Sequence, residues 1–262
     1  MDATRATATA KSKPLQTGLS DLGLYGGDVD GFAGPVTVAA LRKLPGASTP
    51  LAADTRAALG DFGSHPLGSR PILAGCSGWD VAALQFLLAW HGFPSGTMDG
   101  LFGDRTTASL VRLQRWAGIN PIGIAGPQTL AALRESVPTS PIRLARPIFS
   151  PSTDGFGPRG PRFHTGIDYP AVTGAPVLAA GDATVVSAGA IAGYGNLVVL
   201  AHGSGVTSWY GHLSRIFVTP GQRVARGTTV GLVGATGDAT GPHLHFEVRV
   251  RDAAVDPETA LG

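Results

Sequence analysis

Two histidines lie close together near the C-terminal end of the sequence, in the segment GPHLHFEVRV at residues 241–250. Polar and apolar side chains alternate along this segment, and a period of two is typical of a half-buried β-strand. The apolar side chains are expected to face a core, which leaves His243, His245, Glu247 and Arg249 on an open face. Two adjacent imidazoles with no structural reason to be neighbours indicate a metal site or a proton-transfer site.

Further groups that could join this site occur upstream. The segment FHTGIDYP holds His164 and Asp168, four residues apart, and the segment YGHLS ends an alternating stretch with His212. Packing alone does not account for this set, because functional sites need such convergence of titratable side chains. The remaining histidines are interpreted as structural: His65, His91 and His202.

Short strands are predicted to position these residues. From about residue 143 onward, short apolar segments alternate with Gly-rich turns, which indicates an all-β domain. The segment NLVVLAHGSGVTSWYGHL is predicted to form a β-hairpin with Gly203-Ser204-Gly205 at its turn. Tyr210 and His212 are predicted to share one face of its second strand.

An internal repeat occupies the N-terminal half of the sequence. Residues 14–44 align without a gap on residues 83–113. Apolar residues recur at helical spacing, so each copy is predicted to be a small three-helix unit. A threonine near the start of each second helix, Thr37 or Thr106, is predicted to lie in the first turn or to cap it.

Both copies resemble the peptidoglycan-binding domain found beside many cell-wall hydrolases, whose pattern runs LQ, Gly, DGxFG, Thr and GPxT. The second copy matches closely, with Leu84-Gln85, the DGLFG segment at residues 99–103 and the GPQT segment at residues 126–129. The first copy has Ala33 where an aromatic residue is expected and Ala53-Asp54 in place of Gly-Pro. A helical spacer is therefore the alternative interpretation of the first copy.

The last part of the sequence, about residues 143–260, resembles the lysostaphin-type (LytM-like) zinc metallopeptidases of the bacterial cell wall. The resemblance rests on HTGIDY, AGYGN, YGHLS and TGPHLHFEVR, which occur in this order. It implies that one Zn²⁺ per chain is held by His164, Asp168 and His245. Glu247 is interpreted either as a hydrogen-bonding partner of these ligands or as a solvated residue on the strand face.

The same resemblance implies that His243 and His212 carry out the chemistry and that Tyr194 helps to stabilise the oxyanion. Two imidazoles and one carboxylate leave the fourth position of a zinc ion open for water, whose pKa zinc lowers from 15.7 to about 7. The HExxH motif, which supplies a glutamate base in other zinc peptidases, does not occur in the sequence. Either His212 or His243 can therefore be the general base, and the other can donate a proton.

The predicted protein is multidomain, with all-α peptidoglycan-binding repeats followed by a mainly-β LytM/lysostaphin-like peptidase domain. Its function is predicted to be peptidoglycan hydrolysis, in which the repeats hold the murein and the β-domain cleaves a peptide bond in its stems or cross-bridges. The predicted boundaries are a disordered tail at 1–13, a degenerate first repeat at 14–61, a second repeat at 78–136, a linker at 137–142 and the peptidase domain at 143–262.

Composition limits the other possibilities. A net charge of +2 gives no indication of a nucleic-acid partner, and no apolar run approaches the roughly 18 residues of a membrane span. A monomer is expected. The N-terminus has no hydrophobic core of a signal peptide, so action at the bacterial cell wall would follow phage-type release, injection or earlier processing. The single Cys76 excludes intramolecular disulfides, and a cysteine peptidase is only a formal rival.

Two questions stay open at this stage. A non-catalytic wall-binding protein with the same fold would be expected to lose one or more ligands, and none is missing here. A phage endolysin, an injected toxin and a secreted autolysin would share the same chemistry, so the residues do not distinguish these roles. The same chemistry would also cleave either a glycine bridge or a D-Ala–diaminopimelate bond.

Overall fold

The computed structural model describes residues 16, 20, 25–29, 40, 65–159 and 162–262. The chain divides into two compact units, the first formed by residues 1–136 with 158–163 and the second by residues 137–157 with 164–262. The predicted tail at 1–13 and most of the predicted first repeat, including Ala33, Thr37 and Ala53-Asp54, lie outside the described residues.

Three α-helices, eleven β-strands and one 3₁₀-helix are found in the two long described segments, 65–159 and 162–262. The helices are α1 (Trp79–Trp90), α2 (Asp104–Trp116) and α3 (Pro127–Ala132). The strands are β1 (Gly157–Arg159), β2 (Arg162–His164), β3 (Ile167–Pro170), β4 (Pro176–Leu178), β5 (Ala183–Ile191), β6 (Gly195–Gly203), β7 (Val206–Ile216), β8 (Arg223–Val224), β9 (Thr229–Val233), β10 (His243–Val250) and β11 (Ala253–Val255). The 3₁₀-helix spans Pro257–Thr259.

A nine-stranded antiparallel sheet forms the second unit, in the order β11-β10-β7-β6-β5-β8, with β3 also paired to β10 and with β9 joining β4 to β7. The apolar residues of β10 enter the core, where Leu244, Phe246 and Val248 are fully buried. Burying a side chain such as that of Phe246 contributes about 1.5–3 kcal/mol. The alternation in the sequence therefore predicted the core face of β10 correctly.

The β6–β7 hairpin has the predicted turn, and the reason lies in its backbone. Gly203 pairs with Val206, so Ser204 and Gly205 form a two-residue turn in which both φ angles are positive, at 50° and 71°. Such a turn matches the right-handed twist of the two strands, and Ser-Gly tolerates it because glycine has no Cβ.

The predicted shared face of Tyr210 and His212 is wrong. Tyr210 is fully buried, and its ring packs against Phe246 in the core, whereas the ring of His212 contacts His243 on the opposite face of the sheet. A left-handed backbone at His212, with φ of 62°, and register irregularities in β7 break the alternation. The irregular backbone turns the imidazole out of the core.

A glutamine side chain fastens the loop between α1 and α2 in the first unit. Gln85 is buried, accepts a hydrogen bond from the Gly100 amide at 2.9 Å, and donates to the Thr106 hydroxyl and to Asp99. Thr106 lies in the first turn of α2, as predicted, but does not cap the helix: Gly103 is the N-cap residue, and no side chain caps it. The threonine instead contacts the glutamine of the LQ pair.

The same arrangement recurs between α2 and α3. Gln114 accepts a hydrogen bond from the Gly123 amide at 3.0 Å and donates to the Thr129 hydroxyl at 3.1 Å. Gln85 and Gln114 therefore perform equivalent structural roles, each holding one loop and one threonine.

Within the described residues, no helix combines the length and the apolar character needed to cross a membrane.

Candidate metal centre and active site

Strand pairing brings the predicted metal ligands together. β10 lies between β3 and β7, so that His245 is directly opposite Asp168 on one side and Gly211 on the other. The segment from His164 to Asp168 lies directly against β10, since a Cβ on Gly166 would be only 2.3 Å from the carbonyl oxygen of Phe246. Only glycine therefore permits this approach.

The predicted ligand atoms form a compact triangle. The separations are 3.1 Å from His164 Nε2 to Asp168 Oδ1, 3.0 Å from His164 Nε2 to His245 Nδ1 and 2.9 Å from His245 Nδ1 to Asp168 Oδ1. Zinc bonds of 2.0–2.2 Å in a tetrahedral site require ligand atoms about 3.3–3.6 Å apart. The three atoms fit a zinc ion after an outward movement of a few tenths of an ångström.

The outer hydrogen bonds of the two histidines favour the same donor set. Nδ1 of His164 lies 2.8 Å from the Gly155 carbonyl, and Nε2 of His245 lies 3.0 Å from Oε1 of Glu247. Because both partners are acceptors, each of these nitrogens carries a proton. The inner nitrogens, His164 Nε2 and His245 Nδ1, are therefore the ones that would give their lone pairs to a metal ion once it displaces the proton between them and Asp168, as metal-bound histidines require.

The contacts within the triangle shift the pKa values of His245 and Asp168 in opposite directions. Burial alone would lower the pKa of His245, but its bonds to Asp168 and Glu247 outweigh burial and raise that pKa to about 9. Burial would raise the pKa of Asp168, but the bonds to His164 and His245 hold it well below its usual range. A metal ion that binds these atoms must replace a proton, so binding releases one.

Two further imidazoles point at the same region. Nδ1 of His212 lies 2.7 Å from the Thr236 carbonyl, and Nδ1 of His243 lies 2.8 Å from the Gly241 carbonyl. Each neutral ring therefore donates through Nδ1 and keeps an accepting Nε2. Their ring centroids are 4.7 Å apart, and Nε2 of His243 is 3.7 Å from Oδ1 of Asp168. Burial lowers the pKa of His212, so this ring is neutral at pH 7.

Tyr194 contacts the site through both its ring and its hydroxyl. Its ring centroid is 5.8 Å from that of His245, and its hydroxyl donates to Oε1 of Glu247 at 2.7 Å and accepts from Arg249 at 3.0 Å. Burial raises the pKa of Tyr194, which keeps the hydroxyl protonated. Stabilisation of an oxyanion by Tyr194 stays a prediction.

The expected open face of β10 is wrong for two of its four polar residues. His245 is 7% exposed and Glu247 is fully buried, because the segment before β3 and the ring of Tyr194 lie against them. Alternation indicated which residues leave the core but not what covers them. Arg249 and Thr165, which bond to Glu247, were not recognised from the sequence as part of the site. The sequence contains an indication of each: Arg249 has the same strand parity as His245 and Glu247, and Thr165 directly follows His164.

Comparisons with known proteins cover both units. Residues 162–257 match peptidase family M23, and residues 77–133 match the peptidoglycan binding domain family. The DD-carboxypeptidase/endopeptidase Mpg of Neisseria meningitidis is 46% identical over 96 residues, which are 37% of this chain and 22% of Mpg. The peptidoglycan DD-endopeptidase ShyB of Vibrio cholerae is 46% identical over 93 residues, which are 36% of this chain and 22% of ShyB.

The matched region thus spans about a fifth of the length of these curated relatives, 22% in both cases. Among solved structures, the catalytic domain of the antimicrobial peptidase lysostaphin from Staphylococcus simulans is 34% identical. That match covers 42% of this chain and 90% of the lysostaphin domain, with a TM-score of 0.40. By the two family matches, residues 162–257 form a LytM-like peptidase family M23 domain, and residues 77–133, in the helical part before it, form a peptidoglycan-binding domain.

Proposed function

We propose that this protein is a zinc-dependent endopeptidase that cleaves peptide bonds in bacterial peptidoglycan. The observation that carries the proposal is the triangle of His164, Asp168 and His245, whose ligand atoms lie within 3.1 Å of one another. A non-catalytic wall-binding protein would not need two additional imidazoles, His212 and His243, with accepting nitrogens beside that triangle.

His164, Asp168 and His245 would hold one zinc ion per chain. When bound, zinc acts as a Lewis acid and lowers the pKa of a water molecule to about 7. The carboxylate of Asp168 lies opposite His245 across the β3–β10 pair, and the two imidazoles are fixed by acceptors on their outer nitrogens. The sheet therefore holds the ligands in place before the metal binds, which reduces the cost of ordering them.

His212 and His243 would move the protons. One, as the neutral ring, would accept a proton at Nε2 from the attacking water. The other would enter the reaction as the imidazolium, protonated at both nitrogens, and would donate its Nε2 proton to the leaving amine; passing a proton from the first ring to the second then restores the starting state. Carbonyl oxygens of Thr236 and Gly241 hold both rings in the tautomer whose Nε2 can accept. The resemblance to LytM-like peptidases assigns stabilisation of the oxyanion to the Tyr194 hydroxyl, and the variant Tyr194→Phe, described below, tests that assignment.

Peptidoglycan is the partner that the helical unit favours. The second repeat, 78–136, would bind murein through the unit formed by α1, α2 and α3. We infer action at the bacterial cell wall as a monomer. The names of the curated relatives, which are DD-endopeptidases, favour a D,D cross-link over a glycine bridge. Mass spectrometry of the products from purified murein would identify the bond.

Four alanine variants test the roles of the site residues. Asp168→Ala and His245→Ala should purify with little zinc and no activity, because two ligands remain. His212→Ala and His243→Ala should keep zinc and lose about 10²–10⁴-fold in turnover. The measurement is zinc content beside hydrolysis of murein by each variant. A zinc-free His243→Ala with a loaded His245→Ala would reverse the assignment, and wild-type turnover in His212→Ala would remove that residue from the mechanism.

A further inference from the structure

A carboxylate that is fully buried lies directly behind one of the metal ligands. Oε1 of Glu247 is 3.0 Å from Nε2 of His245 and also accepts hydrogen bonds from the hydroxyls of Thr165 and Tyr194. Oε2 accepts from Nε of Arg249 at 2.7 Å. Burial of an unpaired carboxylate is costly, so four donors on one glutamate indicate a group whose charge and orientation are both fixed.

Arg249 neutralises Glu247 and is itself held on three sides. Its guanidinium carbon lies 3.8 Å from the centroid of the Trp209 ring, its Nε donates to Glu247, and a terminal nitrogen donates to the Tyr194 hydroxyl at 3.0 Å. Trp209 is directly opposite Glu247 in the β7–β10 pair, and its ring also packs against that of Tyr194. The arginine therefore cannot leave the glutamate without losing a cation–π contact and two hydrogen bonds.

We propose that Glu247 is a positioning residue for His245, and that Arg249, Tyr194 and Thr165 hold Glu247 in place for this purpose. The inference rests on the proposed function, in which the triangle binds zinc. Its basis is that Nε2 of His245 donates to Glu247, so that Nδ1 faces the triangle and offers its lone pair there once a metal ion displaces the proton next to Asp168. A rotated ring or the other tautomer would present a proton where the metal needs an electron pair.

This arrangement gives Tyr194 an indirect role, in which it holds Glu247 and does not touch the reacting atoms. Its hydroxyl proton is committed to Glu247, and its oxygen accepts from Arg249. Tyr194 would then act through Glu247 and His245 on metal binding. An oxyanion role predicts the reverse, namely unchanged zinc affinity with a lower kcat. The variant Tyr194→Phe separates the two roles, because it removes the hydroxyl and keeps the packing of the ring.

The test measures zinc affinity by competition with a chelator in the full chain. We expect Glu247→Gln to weaken zinc binding by about 10–100-fold, the usual effect of losing an outer partner of a metal ligand. Tyr194→Phe should weaken it by a smaller factor. The matched control is Glu258→Gln, which removes a half-exposed carboxylate that pairs with Arg146 elsewhere in the same unit. Its zinc affinity should equal that of the wild type.

A second readout reports the histidine ring itself. Imidazole nitrogen NMR of the zinc-loaded protein should show His245 protonated at Nε2 in the wild type and a changed Nε2 signal in Glu247→Gln. If Glu247→Gln does not fold, Tyr194→Phe and Thr165→Val, which each remove one donor, carry the test. Folded variants with wild-type zinc affinity and an unchanged NMR signal would overturn the inference. A wild-type protein that binds no zinc would instead overturn the proposed function.

Discussion

Replacing Gly166 by alanine tests whether the metal centre depends on close contact between the segment before β3 and strand β10. The added Cβ would lie 2.3 Å from the Phe246 carbonyl oxygen and 3.0 Å from Cε1 of His245. Carbon–oxygen contacts are normally at least about 3.3 Å, so the backbone must move by roughly 1 Å. Because the segment carries His164 and Asp168, two of the three ligands move with it.

The expected result has two parts. Overpacking should destabilise the domain by about 1–3 kcal/mol, measured by thermal unfolding. A displacement of 1 Å should lower turnover about 10²-fold and weaken zinc binding, measured by hydrolysis assays and chelator competition. Gly155→Ala is the matched control, because its carbonyl also contacts His164 but its Cβ would meet no atom within 4 Å. A Gly166→Ala protein with full zinc affinity and wild-type turnover would refute the reasoning.

Burial lowers the pKa of His212 below its ordinary value of 6.5, and a bound cation would lower it further. If His212 is the general base, the enzyme should therefore lose activity as the pH falls through this lowered pKa. Activity that is lost instead as the pH rises through the same pKa would make His212 the acid. Gln85→Leu leaves the buried amide of Gly100 without its acceptor and should cost about 1–3 kcal/mol in thermal unfolding, so an unchanged stability would contradict the role given to Gln85. Removal of residues 1–140 should weaken murein pull-down and lysis of intact walls but spare cleavage of a short soluble peptide, and equal murein binding by the remaining fragment would count against targeting by the repeats.

The strand pattern at the site could be predicted because alternation has a direct physical cause. Side chains of a strand point to opposite faces, so Leu244, Phe246 and Val248 were assignable to the core from their spacing. The contact of Asp168 with His245 was not assignable in this way, because it depends on pairing between β3 and β10, far apart in the sequence. Resemblance to a known family, and not spacing, indicated that pair.

His212 and Glu247 show where pattern reasoning fails for physical reasons. His212 follows the core parity of Tyr210, but one left-handed residue reverses the direction of its ring. A non-glycine residue in that conformation costs of order 1–2 kcal/mol, and the sequence gives no sign of it. Glu247 has the parity of an exposed residue, yet it is buried because Thr165, Tyr194 and Arg249 supply its hydrogen bonds.

The repeated glutamine arrangement of the helical unit changes what its sequence motif means. Gln85 and Gln114 each hold a loop amide and a threonine, so the LQ pair, the DG turn and the threonine are requirements for folding. These motif residues are engaged in internal hydrogen bonds, so they specify the scaffold, and the choice among glycans or peptides of the cell wall depends on other positions. Exposed positions such as Ile122 carry no such requirement. The unit is thus suited to engineering, since its surface can be varied toward other cell walls while the internal hydrogen bonds are kept.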